Sequence, residues 1–182
     1  VSVCLKLWPV PRAKATVTNP DPDRLGVLSR PLAVLEKDGT TQVFLWGIKE
    51  EVETSADRIG GQVTTGHTWP TDPEGAFRWS MRVPPALTAT AITNLPDSWR
   101  YLAIHGVGEI RLGSDAAEAA PELRGWAEAN SGRLVVVDSP PGSLTQFDPW
   151  GAVPEGLEIQ RRLIGQFDPT RVINPGRLPG GI

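Results

Sequence analysis

The chain has 182 residues, a formal net charge of −3, 40% hydrophobic and 21% charged residues, and one cysteine, Cys4. That length supports one substantial core and falls short of two large independent domains, and the ordinary composition excludes disordered and fibrous classes. The small charge without a Lys/Arg stripe argues against nucleic acid as a partner, and a lone cysteine precludes an internal disulfide or thiolate metal cluster.

Residues 1–8 alternate like a strand from the first position, which implies a piece cut from a longer polypeptide. Pro9 and Pro11 interrupt this lead-in over residues 1–12. Residues 13–18 resume as a strand, and Asn19-Pro20-Asp21-Pro22 reads as a cap and turn before a helical stretch over 23–29. Strands over 32–37 and 41–46 flank Asp38-Gly39, a hairpin signal. Residues 49–59 carry Val52, Ala56 and Ile59 at helical spacing, stopped by Gly60-Gly61.

A second pass of the same kind follows. Residues 77–83 alternate like a strand, and Pro84-Pro85 opens a short helix over 86–93. Strands over 99–105 and 109–112 are joined through Gly106 and Gly108; the clearest helix spans 116–130, with Ala120, Leu123, Ala127 and Trp126 as its inward candidates. An apolar strand over 133–138 closes the pass. Two β-α-β-β-α-β passes define an α+β fold: two ferredoxin-like units over 13–138 forming a joined antiparallel sheet with helices on one face. Residues 139–156 read as an ordered loop, and 157–182 as a short helix and an extended C-terminal tail of a kind that docks onto something.

No glycine-rich phosphate loop or G-x-S-x-G elbow occurs. His67 and His105 are the only histidines, and no short ligand spacing joins them to Asp72, Glu74 or Glu109, so no metal is expected. His67 reads as a polar loop residue. His105 is the better pocket candidate, because it ends a strand before Gly106-Val107-Gly108, where backbone can approach a planar ligand, and a merely structural role is the other reading. Of the seven tryptophans, Trp46, Trp79 and Trp99 fit a core, whereas Trp69 and Trp150 lie in loops and suit a pocket or a partner. Arg171, Asn174 and Arg177 suit either an anion or flavin edge, or anchorage of the tail to the body.

The tail, Gln166-Phe167-Asp168-Pro169-Thr170-Arg171-Val172-Ile173-Asn174-Pro175-Gly176-Arg177-Leu178, resembles the ending of FAD-linked oxidases with a vanillyl-alcohol-oxidase-type flavin domain. The Asn-Pro-Gly-Arg variant is most similar to the FAD-binding subunit of glycolate oxidase. Val3 to Pro11, Arg78-Trp79-Ser80, Pro84-Pro85 and Ala103 to Gly108 also resemble cap segments of that family, so the similarity covers essentially the whole chain.

The resemblance implies a single cap domain over 1–182 whose N-terminal FAD-binding domain is absent. FAD would be bound by the full-length parent and not by this fragment. Asn174, Pro175, Gly176 and Arg177 would lie on the cofactor side; His105 and Trp69 would belong to the substrate pocket. The implied chemistry is oxidation of a 2-hydroxy acid such as glycolate or D-lactate, with the isolated chain inactive and other subunits of a glycolate-oxidase-like complex as partners. The implied location is the cytoplasm, peripheral to a membrane through those subunits and with no membrane insertion. One departure stands out: related catalytic subunits look as if they use a His-x-His pair, whereas Val107 stands two positions after His105. That implies an electron-carrying companion flavoprotein. The other readings are the cap of a different alcohol or sugar oxidase, and a non-enzymatic ferredoxin-like module that binds a metabolite or protein.

Overall fold

A computed structural model describes residues 10–29, 31–143, 148–153, 155–173, 175–176 and 178–181. The strand expected over 1–8 lies outside the described residues. The chain divides into two compact units, Val1–Thr71 and Asp72–Ile182.

The first unit contains β1 (Ala13–Thr18), β2 (Ala33–Lys37), β3 (Thr40–Gly47), α1 (Lys49–Ile59) and β4 (Gln62–Thr65). Its strands run in the order β4-β1-β3-β2 with every pairing antiparallel, the order of a ferredoxin-like unit. A two-residue turn at Asp38 and Gly39, both at positive φ, sets the register of Lys37 opposite Thr40. Alternation along the strands sends Ala15, Val17, Val43 and Leu45 to one face, where they meet Val52, Ala56 and Ile59 of α1. Full burial of one such aliphatic side chain contributes about 1.5–3 kcal/mol. Glu50 and Glu51 in the first turn of α1 and Arg58 in its last complement the helix dipole.

The second unit repeats the plan with β5 (Phe77–Arg82), α2 (Thr88–Thr93), β6 (Arg100–His105), β7 (Glu109–Ser114), α3 (Ala120–Ala129) and β8 (Arg133–Asp138). Its order, β6-β7-β5-β8, is the same ferredoxin-like order with the first unit's roles repeated. Ala91 of α2 and Ala120, Leu123 and Ala127 of α3 join one core with Trp79, Met81, Ile110, Leu112 and Leu134, so both helices cover one face. Trp79 stacks between Phe77 and Trp99, at centroid distances of 5.8 and 5.5 Å, and donates its indole N–H to Ser114 Oγ at 2.9 Å. Beyond the sheet, α4 (Leu157–Phe167) precedes the tail.

Four local expectations are corrected. The first connection is a 3-10 turn at Pro22–Val27 rather than a helix over 23–29, since it buries no side chain and carries Gly26 inside. The helix expected from 116 begins at Ala120, with Pro121 in its first turn. β4 escapes sequence detection because all four of its residues are exposed and no alternation marks it. Trp46, expected in the core with Trp79 and Trp99, is only half-buried and lies outside the core cluster.

Candidate functional site

His105 ends β6 half-buried, on the face that alternation gives to Tyr101 and Ala103. The glycines after it have different jobs. Gly106 adopts φ 84° in the turn and has open space around its Cα, so only its backbone angle demands glycine. Gly108 adopts φ 68°, and a Cβ there would lie 1.9 Å from the Val83 carbonyl oxygen. The Val83 N–H donates to the Gly108 carbonyl at 2.9 Å. The close approach expected of a ligand is therefore made by the Val83–Pro85 backbone, which locks the β6–β7 turn onto the end of β5.

Trp69 lies in the first unit, 47% exposed, with its ring edge-on to Phe44 at 5.7 Å. Phe44 is also stacked on His67, at 4.8 Å and 6° between planes. His67 Nε2 lies 3.1 Å from the Ala15 carbonyl and 2.7 Å from the Leu45 carbonyl. Carbonyls only accept, so Nε2 carries hydrogen and donates to both. Ala15 and Leu45 are register partners in β1 and β3. His67 thus staples the segment after β4 across the face opposite α1, helped by Thr16 Oγ1 donating to the Gly66 carbonyl at 2.8 Å. It is a polar loop residue, as expected, and within that loop it acts as an anchor, with Trp69 two residues on packed against the same Phe44.

Trp150, the other loop tryptophan, is 37% exposed in the second unit. Its segment is tied down by Arg124 Nη1 donating to the Asp148 carbonyl, the Val136 N–H donating to the Pro149 carbonyl, and Glu128 accepting from the Ala152 N–H.

In the tail, Asp168 is nearly buried and its carboxylate accepts the N–H groups of Val172 and Ile173 at 3.0 and 2.9 Å. This turn brings Pro175 and Gly176 beside Leu163, Phe167 and Ile173, lining an apolar cleft of about 230 Å³. Asn174 and Arg177 lie outside the described residues. The role of Asp168 is signalled in the sequence only by Asp-Pro-Thr, a turn former. The same region exposes Ile159, Leu163, Phe167, Val172 and Ile173, with Phe167 76% accessible.

A charged cluster occupies the face of the second unit's sheet away from its helices. Arg78, Ser80 and Arg82 alternate along β5, and Ser80 stands opposite Arg111 of β7. Arg78 bonds Asp138, with Nη2 to Oδ2 at 2.6 Å; Arg111 bonds Asp72 at 2.8 Å and Glu109 at 3.0 Å. The hydrogen bonds that Arg111 donates to Asp72 and then to Glu109 raise its pKa above the ordinary value, and the hydrogen bond from Arg78 holds Asp138 below the usual aspartate range. The arg-x-ser-x-arg alternation was visible in the sequence, but its convergence with Arg111 needed the strand register.

Among the described residues, no group of three or more His, Cys, Asp or Glu side chains is arranged to hold a metal ion. Among them, too, no helix is long and apolar enough to cross a membrane. Comparison with protein-family models, curated proteins and solved structures finds no match to the chain. The cleft beside Pro175 and Gly176 is walled mainly by apolar side chains, among them Leu163, Ile164 and Leu178.

Proposed function

We propose that this chain is the cap domain of an FAD-dependent 2-hydroxy-acid oxidase or dehydrogenase subunit, with the cofactor held by a separate flavin-binding domain. The observation that carries the reading is the exposed apolar surface of α4 and the tail, formed by Ile159, Leu163, Phe167, Val172 and Ile173. Water is a poor neighbour for such a patch, and a protein partner is the usual reason for one. Phe167, Val172 and Ile173 of this surface fall in the segment whose sequence resembles the family's cofactor-side ending. The paired ferredoxin-like units agree with the cap expected from the same resemblance.

On this reading the protein positions substrate and shields the reacting centre, while the cofactor supplies the redox chemistry. Glycolate and D-lactate are the substrates proposed, the isolated chain is inactive, and partner subunits of a glycolate-oxidase-like complex carry electrons away. The place of action is the cytoplasm, at a membrane surface reached through those subunits. The absent His-x-His pair at His105 favours the electron-carrying companion role over direct substrate oxidation.

The test is to express the chain in continuity with whatever coding sequence precedes Val1 and record its visible spectrum before and after anaerobic glycolate or D-lactate. A flavin band is expected. Bleaching by either acid would assign oxidation to this subunit, and a stable band would assign the companion role. A colourless product, or no preceding coding sequence, would overturn the oxidase reading in favour of a non-enzymatic binding module.

A further inference from the structure

We propose that β4 is an unguarded sheet edge through which two copies of this chain pair into a symmetric dimer. β4 ends the strand order, and among the described residues no strand lies on its outer side. Its inner side is tied to β1. The Gly66 N–H donates to the Lys14 carbonyl at 2.9 Å, Thr64 Oγ1 donates to the Thr16 carbonyl, and Thr16 Oγ1 donates to the Gly66 carbonyl. Hydrogen-bonded and non-bonded pairs alternate along an antiparallel ladder, so with Gly66 bonded to Lys14 the register makes Thr64, opposite Thr16, the next residue that bonds inward. Val63 and Thr65 therefore turn their N–H and C=O groups outward. Both residues are exposed, Val63 by 54%.

Proteins guard such edges with charge, proline, a bulge or a covering loop. β8, the edge of the second unit, carries Arg133 and Asp138, pairs irregularly with β5 between Arg78 and Trp79, and has its Val136 N–H taken by the Pro149 carbonyl at 2.9 Å. β4 has none of these devices: no residue from Gly60 to Gly66 is charged or proline, and its register against β1 is regular. What this edge matches is itself. In a two-fold antiparallel pair with Thr64 on the axis, Val63 of each copy stands opposite Thr65 of the other, and all four outward backbone groups of each strand are paired. A two-fold contact sets side chains near their own counterparts, where a charge would repel itself, and this stretch carries none. Val63 and Thr65 are β-branched and share the α1 face of the sheet with their register partners Val17 and Ala15, so they become cross-strand neighbours on that face. A strand of four residues buries less than a standard-size interface, so the dimer is reversible and follows concentration.

The test is sedimentation velocity and amide hydrogen exchange on the 182-residue chain over a concentration series. A monomer-to-dimer equilibrium is expected, with exchange at the Val63 and Thr65 amides slowing about tenfold or more as the dimer fills. Val63→Pro keeps an apolar side chain and removes an outward N–H that the fold does not use, so it should weaken association about tenfold or more at an unchanged unfolding midpoint. Val63→Thr keeps that N–H and should associate like the parent. Phe167→Glu, which interrupts the exposed apolar surface of α4, should leave the dimer intact. The proposal is overturned by a chain that stays monomeric to about 1 mM, or by loss of the dimer in Phe167→Glu. Disruption by Val63→Thr equal to that by Val63→Pro would overturn it too, because the contact would then rest on side chains and not on strand pairing. So would protection at 63 and 65 that is independent of concentration, which would place a segment of the same chain on the edge. Exchange in the parent decides the matter even if Val63→Pro fails to fold. No flavin enters these measurements, so their outcome stands apart from the oxidase reading.

Discussion

His67 shows how one side chain can hold a segment that no regular element supports. Its Nε2 donates to two strand carbonyls while its ring stacks on Phe44. His67→Ala removes both contributions and is expected to cost about 1–3 kcal/mol in urea unfolding, the range for leaving buried acceptors unsatisfied and losing an aromatic pair. His67→Phe keeps the stacking and should recover part of that loss. If neither substitution moves the midpoint, the staple is ornamental and Trp69 is held otherwise. The histidine was legible in the sequence only as a polar residue in a Gly-His-Thr-Trp loop, because its partners are backbone atoms 52 and 22 residues away. Gly108 is similar: its need for glycine was legible, but the object it approaches, the Val83 carbonyl, was not.

Among elements, α4 and its exit depend on Asp168. This carboxylate caps the turn by accepting from Val172 and Ile173, and the turn in turn presents the apolar tail. Asp168→Ala is expected to raise hydrogen exchange at the Val172 and Ile173 amides about tenfold or more, as charged hydrogen bonds of roughly 1.5–3 kcal/mol are lost, with little change at the amides of β5 and β7. Unaltered exchange at 172 and 173 would rule out this anchoring role. Helices α1 and α3 were legible because their apolar residues recur at helical spacing, and the hairpin at Asp38-Gly39 because turn chemistry is local. β4 was not, since an exposed edge of four polar and small apolar residues acquires its strand geometry by pairing with β1.

For the molecule as a whole, two exposed ion pairs of the second unit are expected to make stability fall in acid. The Asp115 hydrogen bond from Arg100 and the Asp138 hydrogen bond from Arg78 each lower the aspartate pKa. A carboxylate whose folded pKa is depressed contributes stability above its unfolded pKa and loses it as pH falls through the folded value. Unfolding midpoints measured from neutral pH downward should therefore fall less steeply in an Asp115→Asn, Asp138→Asn double variant than in the parent. High salt should shrink the difference, because both pairs face solvent. Equal slopes at low salt would show that these pairs do not contribute.

By itself, the sequence determined the α+β class, the two repeated passes and most helix and strand positions, because periodicity, turn residues and helix stops act over a few neighbours. Only the tertiary structure decided the strand order within each unit, the stapling role of His67, the turn built on Asp168 and the meeting of Arg78, Ser80 and Arg111. Those features depend on register and on contacts between residues far apart in the chain, and a one-residue change of register would turn each strand's side chains to the opposite face.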